Sequence, residues 1–413
     1  MKGFFHLLTS TQVREILRGF PRLETEEVEL SEALGRVTAT DIVAPEDLPP
    51  FPRSTMDGYA VRAKDVFGAS ESEPGLLQVV GEIKMGQSPP DRELRQGEAV
   101  RIWTGGILPP GADAVVMLEY VRPLDDKLIE VYKAVAPNEN VILKGEDCRR
   151  DTLCIKRGTR LRPQELGLLS GLGICKVKVT RRPRAAIIST GDELVPETES
   201  PPPGKIRDIN STTLEALLRT SGAVPTKMGI ISDYLEAISR ACADALSKGA
   251  DIVLVSGGSS VGHRDFTVRV FEEITGAPPL VHGVAIRPGK PTILSRKDDR
   301  ALFGLPGHVA SCMVVYLLFV HYLVNVFQGL EPETGLRVKK AVCGEMFPSV
   351  SGREDYVRVR LEPSEKGGLP VAIPIYGKSG IISTLVQADG LLKIPRDSEG
   401  YHQGEEAEVL LLP

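Results

Sequence analysis

Asp251-Ile252-Val253-Leu254-Val255-Ser256-Gly257-Gly258-Ser259-Ser260-Val261-Gly262 is the stretch whose reading decides the fold. Ile252 to Val255 is an unbroken apolar run, the pattern of a strand buried on both faces. Glycine and serine follow at once, and a helical pattern occupies residues 266–274. Strand, small residues, then helix puts bare N–H groups at a helix N-terminus, where unsatisfied donors and the helix dipole both favour an anion. Glycine permits positive φ and lets a ligand come close to the backbone. Asp265, just beyond the loop, would repel a bare phosphate, which hints at a bridging cation. A glycine-rich turn with no ligand is the plainer alternative for this segment taken alone.

Outward from this unit, residues 185–189, 226–231 and 301–305 read as further strands. Residues 212–220, 234–247 and the long run from Val309 read as helices, with Gly222 and Gly249 as stops. One more strand is expected over 280–286. Such alternation predicts a parallel sheet covered by helices on both faces, with ligands beyond the carboxyl ends of its strands. Four polar loops follow four of the strands: Thr190-Gly191-Asp192-Glu193, Ser232-Asp233, the Ser256 loop and Pro306-Gly307-His308. The fold brings them to one edge, and that convergence says more than any single loop.

The rest of the chain has a different texture. Residues 51–139 are rich in Pro, Gly and Val, with short alternating runs such as Gly75-Leu76-Leu77-Gln78-Val79-Val80, and predict a β-domain. Helical patterns over 11–19, 31–34 and 163–169 lie in the segments 1–50 and 140–180, with Pro163 at a helix start. If those segments pack together, the β-domain is an insertion between them. Residues 331–413 again read as all-β, with Tyr356 to Leu361 alternating cleanly and Glu408 to Leu411 closing a small barrel. The expected domains are 1–50 with 140–180, 51–139, 181–330 and 331–413.

Composition bounds the function. The chain has 413 residues, 42% hydrophobic and 25% charged, with a formal net charge of -5. That charge gives no global attraction to nucleic acid or anionic membrane, so an anionic substrate must be held by local cations. Six cysteines show no CxxC pair. Cys175, Cys242 and Cys312 are expected as buried free thiols of a reducing, cytoplasmic compartment, and a metal site on Cys148 and Cys154 lacks a second pair. Residues 309–327 are apolar enough to be considered as a membrane span, but His321 and Asn325 interrupt them and no basic flank follows, so a buried core helix is expected. There is no GxxxxGK[ST], no GxGxxG opening a helix, no GxSxG and no HExxH.

Carboxylates near the expected ligand edge are Asp192 with Glu193, Asp208, Asp233 and Asp265. Paired acids serve as general acid and base or hold Mg²⁺ against phosphate oxygens, and the neighbouring anion loop favours the metal. Asp208 and Asp233 equally suit helix N-caps. Arg287-Pro288-Gly289-Lys290-Pro291 puts two cations on a stiff loop, suited to a tetrahedral oxyanion or a pyrophosphate, or else to a solvated turn. The helix start after Pro306-Gly307 is a second candidate anion site, where His308 is a ligand, a base or simply a helix-start side chain. Ser54 to Val61 and Arg101 to Gly106 read first as hairpin signals.

In order along the chain, Ser54-Thr55-Met56-Asp57-Gly58-Tyr59-Ala60-Val61-Arg62, Arg101-Ile102-Trp103-Thr104-Gly105-Gly106, Ser189-Thr190-Gly191-Asp192-Glu193-Leu194, Ser256 to Gly262, Arg287 to Pro291 and Gly304-Leu305-Pro306-Gly307 form six blocks. Together they resemble the molybdopterin molybdenumtransferases, the MoeA and gephyrin E-domain family, over essentially the whole chain. The resemblance implies an α/β multidomain subunit. Its parts would be a central doubly wound parallel-sheet molybdopterin-binding domain, a β-rich inserted domain, a small mixed N-terminal domain and a C-terminal β-barrel-like domain. It further implies a homodimer with the active site at the subunit interface, between the α/β domain of one subunit and the β-insertion of the other. The implied reaction inserts molybdate into adenylylated molybdopterin with Mg²⁺-dependent release of AMP. A molybdopterin adenylyltransferase is the candidate upstream partner, with no nucleic acid and no membrane.

Carried over residue by residue, the resemblance makes Asp57, Thr104, Glu193, Asp233 and Asp265 catalytic, with Asp57 and Thr104 reaching across the dimer. Asp192, Glu193 and Asp265 become the metal ligands. Ser189, Gly191, Ser256, Gly257, Gly258, Ser260 and Gly262 form the nucleotide loops, and Lys290, Pro291, Pro306, Ser311, Arg353 and Ser379 the oxyanion pocket. Three positions depart from the family pattern. The usual Pro-Gly-Asn-Pro reads Pro306-Gly307-His308-Val309, the acidic pair after the second strand reads Asp233-Tyr234, and His263-Arg264 stand where an acid is common before Asp265. These departures bear on the oxyanion end and leave molybdate, tungstate or reduced insertion activity open. A non-catalytic molybdopterin-binding scaffold is the alternative of another class, and the retained carboxylates Asp57, Asp192 and Asp265 speak against it.

Overall fold

Buried β-branched strands and the helices between them build the centre of the molecule, in a computed structural model that describes residues 7–257, 264–333, 335–364 and 367–413. The central sheet has six strands in the order Val224–Ile231, Arg184–Thr190, Ile252–Ser256, Arg300–Leu305, Ile293–Lys297, Val281–His282. The first four are parallel, with Ser189 opposite Ser256 and Ser256 opposite Leu305, so their carboxyl ends finish level. Alternate residues face opposite layers. Ala185, Ile187, Ile252, Leu254 and Phe303 pack with Leu214, Leu218 and the long helix. Ala186, Ile188, Val253, Val255 and Leu302 pack with Ile238, Cys242, Val270 and Phe271 of the opposite layer. Burial on both faces is why these strands read as continuous apolar runs.

Two features of this sheet differ from the sequence reading. An antiparallel hairpin, Ile293–Lys297 with Arg300–Leu305, extends the parallel core. The single strand expected over 280–286 is two short ones. Val281–His282 edges the central sheet, while Ile286–Arg287 pairs in parallel with Glu354–Glu362 of the last domain. Gly283, at φ +97°, breaks the run between them, and Val284 is held by a bridge to Leu8.

The long helix runs from Val309 to Gln328, with mean hydropathy 2.0 and 89% of its apolar window buried inside the protein. Its middle, Tyr316–Val320, is π-helical. His321 and Asn325, the two polar interruptions, are buried against protein partners. His321 Nδ1 lies 3.1 Å from Ser221 Oγ, and Asn325 donates to the Pro332 carbonyl at 2.9 Å. The helix is apolar because it is wrapped by protein.

Around the central sheet, Thr25–Glu29 and Val37–Thr38 flank Lys176–Thr180, and Ile42–Val43 pairs with Leu153–Ile155. The chain before and after residues 51–139 thus shares one small core of Ala33, Ile155, Leu161, Leu169, Val177 and Val179. The helical pattern at 31–34 yields only a single 3₁₀ turn, Leu30–Glu32. Gly58–Val61, Gly75–Ile83, Glu98–Ile102, Ala114–Met117, Val121–Pro123 and Leu128–Val131 form one sheet. At the C-terminal end, Glu354–Glu362, Val371–Pro374, Val338–Cys343, Glu406–Leu411 and Gly390–Ile394 pair in a ring that closes back on Glu354–Glu362. Closure into this five-stranded barrel leaves no free edge within the ring.

All six cysteines are free. Cys175 is exposed, against the expectation of a buried thiol, because Gly173 turns the chain at the surface before Lys176–Thr180 begins. The Cys148 and Cys154 sulfurs are 2.8 Å apart, and burial first, then Cys148, pushes the Cys154 thiol up to about 11. The pair gathers no third ligand: among the described residues no group of three or more His, Cys, Asp and Glu could hold a metal.

Candidate functional site

The level strand ends set the first part of the site. Ser189 and Ser256 sit opposite each other at the tips of the two central strands. Both are buried, and neither hydroxyl finds a hydrogen-bond partner among the described residues. A buried hydroxyl without a partner is uncommon, and a pair of them at one sheet edge is a ready donor set for an anion. Gly257 follows at φ +135°, where a Cβ would stand 2.1 Å from the Thr190 carbonyl oxygen. Only glycine lets these two strand tips close on each other. Gly191, at φ +153°, lies under the Glu193 carboxylate, where a Cβ would meet Oε2 at 2.7 Å.

The acidic positions divide. Asp192 and Glu193 are exposed at the first strand tip, and the Asp233 backbone N–H donates to Asp192 Oδ1 at 3.4 Å, joining the first and second loops. Lys205, which the sequence reading did not single out, donates its ammonium to the Asp192 carbonyl. Asp208 is buried and accepts from the Ser211 N–H at 3.1 Å, the N-terminal role allowed for it above. Gly258, Ser260 and Gly262 lie outside the described residues, as does the side chain of Asp265, whose backbone belongs to the helix Arg264–Thr275. Exposed Asp192 and Glu193 beside an anion edge are the hard-oxygen donors that fit Mg²⁺, which takes one or two carboxylates and completes its shell with water and substrate phosphates.

A second part lies between this edge and the barrel. Ile293–Lys297 runs antiparallel, with Ile293 opposite Gly304, so Lys290 and Pro291 just before it emerge at the same edge as the four parallel tips. There a cavity of about 720 Å³ opens, and Lys290, Pro291, Ser311, Arg353 and Ser379 all line it. Pro306 is buried in the strand-to-helix turn and is not among the cavity's lining residues. Gly289, at φ +114°, packs where a Cβ would meet Val315 Cγ2 at 2.8 Å, which holds the Lys290 loop against the long helix. Lys290 is exposed and makes no ion pair among the described residues. Arg353 donates from Nε to Asp355 Oδ1 at 2.8 Å, and Arg287 NH1 stands 3.7 Å from Asp355 Oδ2. Asp355 is buried and holds both guanidiniums in place. Arg358, lowered from its ordinary pKa by burial, donates to Thr384 Oγ1 at 2.6 Å from the same wall.

The helix start, a second candidate anion site above, is partly taken. The Ala310 N–H donates to the Ser379 carbonyl at 3.0 Å, and His308 Nδ1 lies 2.9 Å from Ser379 Oγ. The His308 side chain makes no capping hydrogen bond to its own helix. Asp355, Arg358 and the His308–Ser379 contact were missed by sequence reasoning. Only Asp355 left a signal: it stands two residues after the candidate cation Arg353, at the start of the alternating run that includes Tyr356 to Leu361.

Asp57 and Thr104 come together in the inserted sheet. Gly58 pairs with Ile102, which brings the turn before one strand beside the turn after the other. Asp57 Oδ1 accepts from the Thr104 N–H at 2.8 Å and from its hydroxyl at 2.7 Å. These two bonds, the backbone one first, hold the exposed Asp57 carboxyl below its ordinary pKa. Neither residue has a hydrogen bond or ion pair to the strand-tip loops or to the cavity residues among the described residues.

Three family models match in order: the MoeA N-terminal region (domains I and II) over residues 8–173, a probable molybdopterin binding domain over 186–325 and the MoeA C-terminal region (domain IV) over 340–412. The chain belongs to the MoeA family. It is 34% identical over 405 residues to the molybdopterin molybdenumtransferase of Bacillus subtilis, covering 97% of this chain and 93% of that protein. Two solved MoeA proteins of molybdopterin biosynthesis from Pyrococcus horikoshii are similar over 98% of this chain. One is 38% identical at a TM-score of 0.80 with 99% of its chain covered, the other 33% identical at 0.83 with 100% covered. The multidomain α/β architecture with its closed barrel is thus that of a MoeA-family transferase.

Proposed function

We propose that this chain serves molybdenum cofactor biosynthesis by inserting molybdate into the dithiolene of adenylylated molybdopterin, with Mg²⁺-dependent release of AMP. The observation that carries the reading is the cationic cavity of Lys290, Ser311, Arg353 and Ser379 opening at the same edge as the paired strand tips Ser189-Thr190-Gly191 and Ser256-Gly257. One region suits a pyrophosphate and its neighbour a small tetrahedral oxyanion. In this reading the Ser189 and Ser256 hydroxyls and the Gly191 and Gly257 backbone hold the pyrophosphate. Mg²⁺, held by Asp192 and Glu193, supplies charge neutralisation at the phosphates when bound. Lys290 and Arg353 balance the negative charge of the oxyanion, and Ser311 and Ser379 orient it by hydrogen bonds. Holding oxyanion and dithiolene side by side in fixed orientation supplies most of the rate, with electrostatic positioning the rest.

Among the described residues, Asp57 and Thr104 make no hydrogen bond or ion pair to the strand tips or the cavity of their own subunit. We infer a homodimer in which Asp57 and Thr104 of the partner subunit reach this edge and complete the site. Six free cysteines suit a reducing, cytoplasmic compartment. A second reading, tungstate as the oxyanion, stays beside the first because His308 replaces the expected asparagine and its ring contacts Ser379, which lines the cavity. The test is to give the purified protein adenylylated molybdopterin, Mg²⁺ and either oxyanion. AMP release and active cofactor with molybdate are expected. Release with tungstate alone would favour the second reading, and release with neither would sink the enzyme.

A further inference from the structure

His308 stands where the family resemblance leads one to expect asparagine, and its ring does not cap its own helix. Instead Nδ1 meets Ser379 Oγ at 2.9 Å, while the Ser379 carbonyl accepts the Ala310 N–H at 3.0 Å. The 377–380 loop is thereby clamped to the head of the long helix through both backbone and side chain. Ser379 lines the cavity and His308 is not among its lining residues, so His308 reaches a bound oxyanion only through Ser379. A serine hydroxyl has one proton to give. If Nδ1 is bare it accepts that proton, and Ser379 turns lone pairs toward the cavity. If Nδ1 carries hydrogen it donates to Oγ, and the hydroxyl proton is free for an oxyanion.

We propose that His308 is a positioning residue that sets the hydrogen-bond polarity of Ser379, so that oxyanion binding is coupled to uptake of a proton by His308; the inference rests on reading this cavity as the oxyanion site. Both the neutral Nδ1–H tautomer and the imidazolium leave the Ser379 hydroxyl free to donate, and the negative charge of a dianion held by Ser379 favours the imidazolium of the two. Among the described residues, the charged groups on the elements around His308 are Lys378 beside Ser379, Asp208 ahead of the helix Asn210–Ser221, and the cavity residues Arg287, Lys290, Arg353, Asp355 and Arg358. The long helix carries no charged residue in Val309–Val315. Lysine, arginine and aspartate do not ordinarily titrate between pH 6 and 8, whereas histidine does. Asparagine supplies an amide donor to Ser379 at any pH, so the His308→Asn protein binds without the proton.

The test is calorimetric binding of molybdate and of tungstate to the full-length wild-type protein and to His308→Asn, between pH 6 and 8 and in two buffers of different ionisation enthalpy. Wild-type affinity is expected to fall about tenfold from pH 6 to pH 8, with up to about one proton taken up per oxyanion bound. His308→Asn should change less than about threefold over the same range and take up none. Equal pH slopes and equal proton counts in the two proteins would overturn the role of His308 while leaving the oxyanion pocket standing. A His308→Asn protein weaker by one constant factor at every pH would also overturn it, since that is lost packing alone. Failure of the wild type to bind either oxyanion would overturn both the inference and the reading of the cavity.

Discussion

Single residues here carry two kinds of information. Gly257 is glycine because Thr190 occupies the space of a side chain, with a Cβ 2.1 Å from the carbonyl oxygen and φ at +135°. Gly257→Ala is therefore expected to destabilise the protein by on the order of 3 kcal/mol, seen as an earlier thermal transition. An unshifted transition would mean that the strand tips yield freely. Asp57 instead reports chemistry, since Thr104 holds its carboxyl below the ordinary range through the backbone N–H and then the hydroxyl. With the folded pKa below the unfolded one, the stabilisation is present above the unfolded value and is lost as pH falls through the folded one. Thr104→Val removes only the hydroxyl donor, so the Asp57 midpoint should rise part-way toward its ordinary value, read by carboxyl ¹³C titration. At neutral pH Asp57 stays ionised in both proteins, so a fall in turnover there would report lost orientation. An unmoved midpoint would leave the hydroxyl without influence.

Elements are held at both ends of the central sheet, by different means. At the amino ends Asp251 accepts from Arg181 at 2.7 and 2.8 Å and from the Arg184 N–H at 2.8 Å, tying neighbouring strands together. The neighbouring carboxylate raises the Arg181 pKa further above its ordinary value. Asp251→Asn leaves a half-buried guanidinium with a weaker partner and should cost about 2 kcal/mol in urea unfolding, while the strand tips keep their geometry. An unchanged midpoint would show that Glu24, Arg181's second partner, suffices. The sequence pattern marked the four parallel strands and their helices, because burial on both faces writes itself into every residue of a strand. It did not mark the Ile293–Lys297 hairpin or the transfer of Ile286–Arg287 to the barrel. Such short runs pair according to what lies beside them, and periodicity says nothing of that.

For the whole molecule, the Asp57–Thr104 turn has no hydrogen bond or ion pair to the strand tips of its own subunit among the described residues, which is why a dimer is proposed. Asp57→Ala and Lys290→Ala should each abolish AMP release. Co-expressed with different tags, they should regain about a quarter of wild-type activity, because half the dimers are mixed and each mixed dimer has one intact site. No recovery in isolated mixed dimers would put both residues in one subunit's site. Sequence by itself determined the parallel core, the level edge where its loops converge, and the glycines those loops require. A right-handed chain of strand and helix units leaves few other arrangements, and each local pattern records burial and backbone conformation directly. Only the tertiary structure decided which distant side chains meet: Asp57 with Thr104 across 47 residues, His308 with Ser379 across 71, and Arg287 with Asp355 where the α/β domain hands a strand to the barrel. Those meetings depend on how separate surfaces pack, and no short-range pattern in a chain encodes the partner of a surface folded elsewhere.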